Sequence, residues 1–88
     1  MSTTTAITLD AIRASVSQSL RFQDAANFEA ARMSVEAARE LIDEMLDDEE
    51  TPRGVRVCVT GLLKGDEGRE SKLDALAAMD MLLTCRLD

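Results

Sequence analysis

The side chains that could attack a substrate are few. Ser71, Cys58 and Cys85 are the candidate nucleophiles, and each would need a base to take its proton. The chain contains 0 His, which removes the commonest general base, the commonest metal ligand and every Ser-His or Cys-His pair. Ser71 and Lys72 are adjacent, so they lack the one-turn spacing that would set the amine on the hydroxyl's face of a helix. Glu40/Glu44 and Asp43/Asp47 do stand at one-turn spacing. Among 17 acidic residues such pairs arise by chance, and a solvated helix face accounts for them. The Asp-x-Asp-x-Asp-Gly pattern of a calcium loop does not occur, and Asp66-Glu67-Gly68 is too short to form one. Cys58 and Cys85 lie 27 residues apart with no Cys-x-x-Cys pair to build a zinc site. We therefore expect no catalytic residues, no metal and no cofactor. The chain does not read as an enzyme.

Charge is more informative than nucleophiles. The formal net charge is −7, which argues against direct nucleic-acid binding through phosphate contacts. The charge is also uneven: residues 1–23 carry +1, residues 24–50 carry −8, residues 51–72 carry +2 and residues 73–88 carry −2. Glu40, Asp43, Glu44, Asp47, Asp48, Glu49 and Glu50 follow one another with no Lys or Arg between them. If they close a helix, each sits where the macrodipole is already negative, at a cost of about a few tenths of a kcal/mol. A broken local rule without evident compensation hints at function. Two bland explanations compete with a docking surface: the acids lie beyond a helix that ends near Met45, or they pair internally with Arg53, Arg56 and Arg69.

The elements that must carry these residues follow from periodicity. Eighty-eight residues make one small domain, which buries only roughly 60–65% of the surface of its unfolded chain. Residues 1–7 read as a polar, flexible N-terminal arm, with 8–88 a single helical domain. Thr8 caps a first helix with apolar Leu9, Ile12, Val16 and Leu20 at helical steps. The apolar phase breaks over 23–27, which predicts a turn with Asn27 as the next N-cap. Phe28, Ala31, Val35, Ala38, Ile42 and Met45 then alternate by three and four, the mark of an amphipathic helix. Alanine at every second seam position favours a tight antiparallel hairpin of these two helices.

Thr51-Pro52 signals a third helix start, with a capping hydroxyl before Pro at the first helical position. Val55, Cys58, Val59, Leu62 and Leu63 fit its inner face, with Val57 misplaced and Gly65 as terminator. Val55, Val57 and Val59 also alternate as a strand would. Ser71 and Asp74 resemble a capping box for a last helix to about Arg86. Leu73, Leu76, Met79, Leu82, Leu83 and Leu87 form its wide apolar face, with Ala78, Met81 and Cys85 a second patch beside it. The expectation is an all-α bundle of about four helices. The alternative is an α+β fold with 3–9 and 55–60 as strands.

No secretory signal and no run of ~20 uncharged apolar residues stands in the chain, so a cytoplasmic protein with reduced thiols is expected. Small size, acidity and lack of chemistry match the profile of phage and bacterial inhibitors that occupy nucleic-acid grooves by imitating phosphate charge. This comparison rests on composition alone. The expected function is a protein-binding module that docks Glu40, Asp43, Glu44, Asp47, Asp48, Glu49 and Glu50 onto a partner's basic surface. The alternative is a structural adaptor or chaperone-like subunit that works through the apolar face of its last helix. The second patch, Ala78, Met81 and Cys85, predicts a homodimer.

Overall fold

The structure, a computed structural model, describes residues 2–64 and 68–85, with the backbone alone at 63, 64 and 85. Four α-helices follow one another: α1 (Thr3–Asp24), α2 (Phe28–Asp47), α3 (Arg53–Lys64) and α4 (Arg69–Cys85). No strand occurs among the described residues, and both segments proposed as strands are helical. The fold is a small all-α bundle.

α1 starts earlier than its sequence suggests. Ser2, not Thr8, is the N-cap: its Oγ accepts the Thr5 N–H at 3.1 Å, and its carbonyl accepts the Ala6 N–H at 3.0 Å. Three successive threonines are poor helix formers. Stepping back three and four from Leu9, however, reaches Ala6 and Thr5, and both are buried. Tertiary burial thus extends the helix over a segment that local propensity alone would leave irregular. Where an arm was expected, residues 3–7 are the first turns of α1.

The α1–α2 turn is a Schellman motif. The Asn27 N–H reaches the Phe22 carbonyl at 2.8 Å and the Ala26 N–H reaches the Gln23 carbonyl at 3.0 Å, with Ala26 at φ 60°. Asn27 then caps α2 as expected, its side-chain oxygen accepting the Ala30 N–H at 3.3 Å. Glycine is the usual residue at a left-handed position, since a Cβ there costs roughly 1–2 kcal/mol. Ala26→Gly is therefore expected to raise unfolding stability by about 0.5–1 kcal/mol, after the extra entropy of glycine in the unfolded chain is discounted. Urea denaturation checks this, and a destabilised variant would refute it.

So short a turn forces α2 back along α1, and these helices share the largest interface of the bundle. Near the turn the Ser19 hydroxyl donates to the Ala31 carbonyl at 2.9 Å. At the far end Thr4, Thr5 and Thr8 lie beside Met45 and Asp48. The hairpin is antiparallel. α4 runs antiparallel to α1 as well: Arg69 bonds Asp24 at 3.1 Å, and Arg13 pairs with Asp80 further along. α3 packs on α4 and α2.

One core joins all four helices: Leu9, Ile12 and Val16 of α1, Ala38, Ile42 and Met45 of α2, Val55 and Val59 of α3, and Met79 of α4. Several expected positions differ. Phe28 is 66% exposed, because at the first residue of α2 it lies to one side of the Ala31–Ala38 line. The buried stripe there is Ala31, Ser34, Ala38, Ile42 and Met45. Val57 faces solvent, as helix geometry requires when Val55 and Val59 face in. α4 begins at Arg69 with the Lys72 N–H on the Gly68 carbonyl, so Ser71 lies inside its first turn and is not its cap. Leu76, Leu82 and Leu83 pack on the core, but Leu73 is left exposed; Gly65, Arg86 and Leu87 lie outside the described residues.

Candidate functional site: the acidic end of α2

Seven carboxylates are positioned by one helix end and the connection after it. Ala38, Ile42 and Met45 point into the core, so Glu40, Asp43, Glu44 and Asp47, at i, i+3, i+4 and i+7, fall together on the outer side of α2. Asp48, Glu49 and Glu50 follow in the connection to α3. All seven are exposed. The first bland explanation thus holds for Asp48, Glu49 and Glu50 only, because α2 continues to Asp47.

The second bland explanation fails among the described residues. Arg69 is used by Asp24. Arg56 reaches backwards, but to backbone: its guanidinium donates to the carbonyls of Leu46 at 2.9 Å, Thr51 at 3.1 Å and Asp48. Thr51, expected to cap α3, instead donates its hydroxyl to the Met45 carbonyl at 2.8 Å. It closes the helix behind it, and Pro52 supplies the carbonyl that receives the Arg56 N–H at 3.0 Å. Neither Arg53, Arg56 nor Arg69 forms an ion pair with any of the seven acids. The carbonyl end of α2 is therefore satisfied by Thr51 and Arg56, while the carboxylates around it keep their charge turned to solvent. One of them has a local role: Asp48 Oδ1 accepts the Glu50 N–H at 3.0 Å.

The sequence offered Arg56 only as an internal partner for the acids, and its role on the carbonyls was missed. A signal existed: the first turn of α3 holds no acid, so a cation there opposes that helix's own dipole. A second missed group is Lys72, 6% exposed, whose Nζ donates to Ser19 Oγ at 2.8 Å and Gln23 Oε1 at 2.9 Å. With the Ser19–Ala31 bond this ties α4, α1 and α2 together. It also directs the amine towards α1, which leaves Ser71 without Lys72 as a base.

Beside the carboxylates, Thr4, Thr5, Thr8, Glu44, Met45, Asp48 and Thr51 line a groove of about 190 Å³. A second groove of about 310 Å³ lies between α3 and α4 and holds Cys58, Ser71, Lys72, Asp74 and Ala78 among its lining. Cys58 is a free thiol, and burial pushes its pKa up, away from the thiolate a nucleophile needs. No group of three potential metal ligands occurs among the described residues. Of the expected dimer patch, Ala78 lines that groove, Met81 is 70% exposed, and the side chain of Cys85 lies outside the described residues. Met81 is aligned instead with Leu73 and Ala77, both exposed and one or two turns before it. Among the described residues no helix is long and apolar enough to cross a membrane.

No protein-family model, no curated protein and no solved structure matches this chain.

Proposed function

We propose that the chain is a non-enzymatic protein-binding module whose acidic α2 end docks on a basic surface of a protein partner. A nucleic-acid-binding surface is the partner chemistry that best fits a row of carboxylates, since it already complements phosphate charge. Binding there would inhibit the partner by occupying its groove, the mode of small phage and bacterial inhibitors. The action is assigned to the cytoplasm, where Cys58 would stay reduced. One observation carries this reading: seven exposed carboxylates without an ion pair among the described residues, around a helix end capped by other groups. Among the described residues no cation pairs with them. The test is a pull-down with the wild type and a variant in which Asp47, Asp48, Glu49 and Glu50 become Asn and Gln. Capture by the wild type should weaken steeply with added salt, and the variant should capture less with a flatter salt dependence. Equal, salt-resistant capture by both chains would refute the reading.

The exposed row Leu73, Ala77 and Met81 favours a second reading, a homodimeric adaptor built on α4. Met81→Glu is expected to give a monomer with its helicity intact, measured by light scattering. A wild-type monomer at tens of micromolar excludes this assembly.

A further inference from the structure

The outer face of α2 carries two rows, and only one of them is acidic. Glu29, Glu36, Glu40, Asp43 and Asp47 run along it, all exposed. α2 carries two cations beside them: Arg32 is held by Glu36 at 2.9 Å, and Arg39 is half-buried. Beside the acids, Ala30, Met33, Ala37 and Leu41 recur at steps of three and four. Ala37 is exposed, Met33 is 60% exposed, and Ala30 and Leu41 are half-buried. A single exposed Met would need no explanation. Here it stands in an apolar row with carboxylates along its edge, exposed at Met33 and Ala37 and joined at Leu41 to the core.

We infer that this face receives a basic amphipathic helix of the partner, with Met33 as its apolar anchor. The inference rests on the proposed docking function and specifies the partner's shape. Two rows at helical spacing, the acids from Glu29 to Asp47 over about 27 Å and the apolar row from Ala30 to Leu41 over about 16 Å, are matched by another helix laid alongside. Ala30 and Ala37 are small enough to let that helix approach closely. Lys and Arg side chains flanking its apolar seam can lay their stems along the Met33 row while their charged heads reach the acids. Charge complementarity selects the partner's sign, and the apolar row selects its periodicity.

The test uses two labelled helical peptides of equal length and Lys content. One has an apolar seam at helical spacing, and the other has Gln at each seam position. Fluorescence anisotropy measures their binding to the wild type, to Met33→Gln, and to a variant with Glu40→Gln, Asp43→Asn, Glu44→Gln and Asp47→Asn. The seam peptide should bind the wild type about 10-fold more tightly than the Gln peptide, and Met33→Gln should remove about 5-fold or more of that preference. The Gln peptide should bind wild type and Met33→Gln alike. Equal binding of both peptides, no binding of either, or an unchanged seam peptide with Met33→Gln overturns the inference. If Met33→Gln is neutral but the amide variant loses both peptides, the helix inference fails and the acidic docking surface survives. If the amide variant binds as the wild type does, both fail.

Discussion

Arg56→Ala is expected to lower unfolding stability by about 2–3 kcal/mol, a large effect for a half-buried surface arginine. The guanidinium closes the carbonyl end of α2 through Leu46, Asp48 and Thr51, and alanine would leave those acceptors to water or to nothing. The loss should be local before it is global: amide exchange should quicken in the last turn of α2, from Met45 to Asp48, ahead of the core. Arg56→Lys should recover about half of the loss at most, because an ammonium is a point charge and cannot span three carbonyls with a rigid fork. Chemical denaturation of the three chains checks this, and a loss below about 0.5 kcal/mol would mean that the contacts are incidental.

Met79→Ala is expected to cost about 2–4 kcal/mol, by lost transfer energy and by the cavity it leaves. Met79 is fully buried on the face of α4 that packs on α1 and α3. For a chain of 88 residues the total stability is about 4–13 kcal/mol, so one truncation takes a large share of it. Met81→Ala, the same change two residues further along the same helix, should fall within about 0.5 kcal/mol of the wild type, because that side chain stands in solvent. The paired measurement removes residue type as an explanation. Equal losses at the two positions would mean that α4 is rotated from the orientation described.

The stripes of α1 and α2 were legible because Leu9, Ile12, Val16, Ala38, Ile42 and Met45 keep helical spacing and all reach the core. Asn27 was legible as a cap because an apolar phase breaks just before it. The valine ambiguity at 55–59 was settled by packing: Val55 and Val59 enter the core while Val57 does not, which only a helix allows. What stayed hidden depends on long-range partners. Thr5 and Ala6 continue the helical steps back from Leu9, but it is their burial against the bundle that holds the poor helix-forming threonines in a helix. Thr51 looks like a forward cap yet bonds backwards to Met45, and both arrangements use the same hydroxyl. Lys72 looks like a surface lysine, and Ser19 and Gln23, its acceptors, stand on another helix. The acidic run was visible in the sequence, but whether it was paired internally was not, because that turned on where three arginines point.

The central claim is that these carboxylates are kept for a partner and not for the fold. Its most direct measurement is the unfolding free energy of the wild type and of the variant with Asp47, Asp48, Glu49 and Glu50 amidated, each at about 20 mM and about 200 mM salt. The account predicts that the variant is more stable at low salt, by about 0.5–2 kcal/mol in sum, because helix dipole and mutual repulsion both disfavour negative charge there. It also predicts that added salt stabilises the wild type and has less effect on the variant. A variant less stable than the wild type, with salt weakening the wild type, would show that the acids are paired within the protein and would contradict the docking surface.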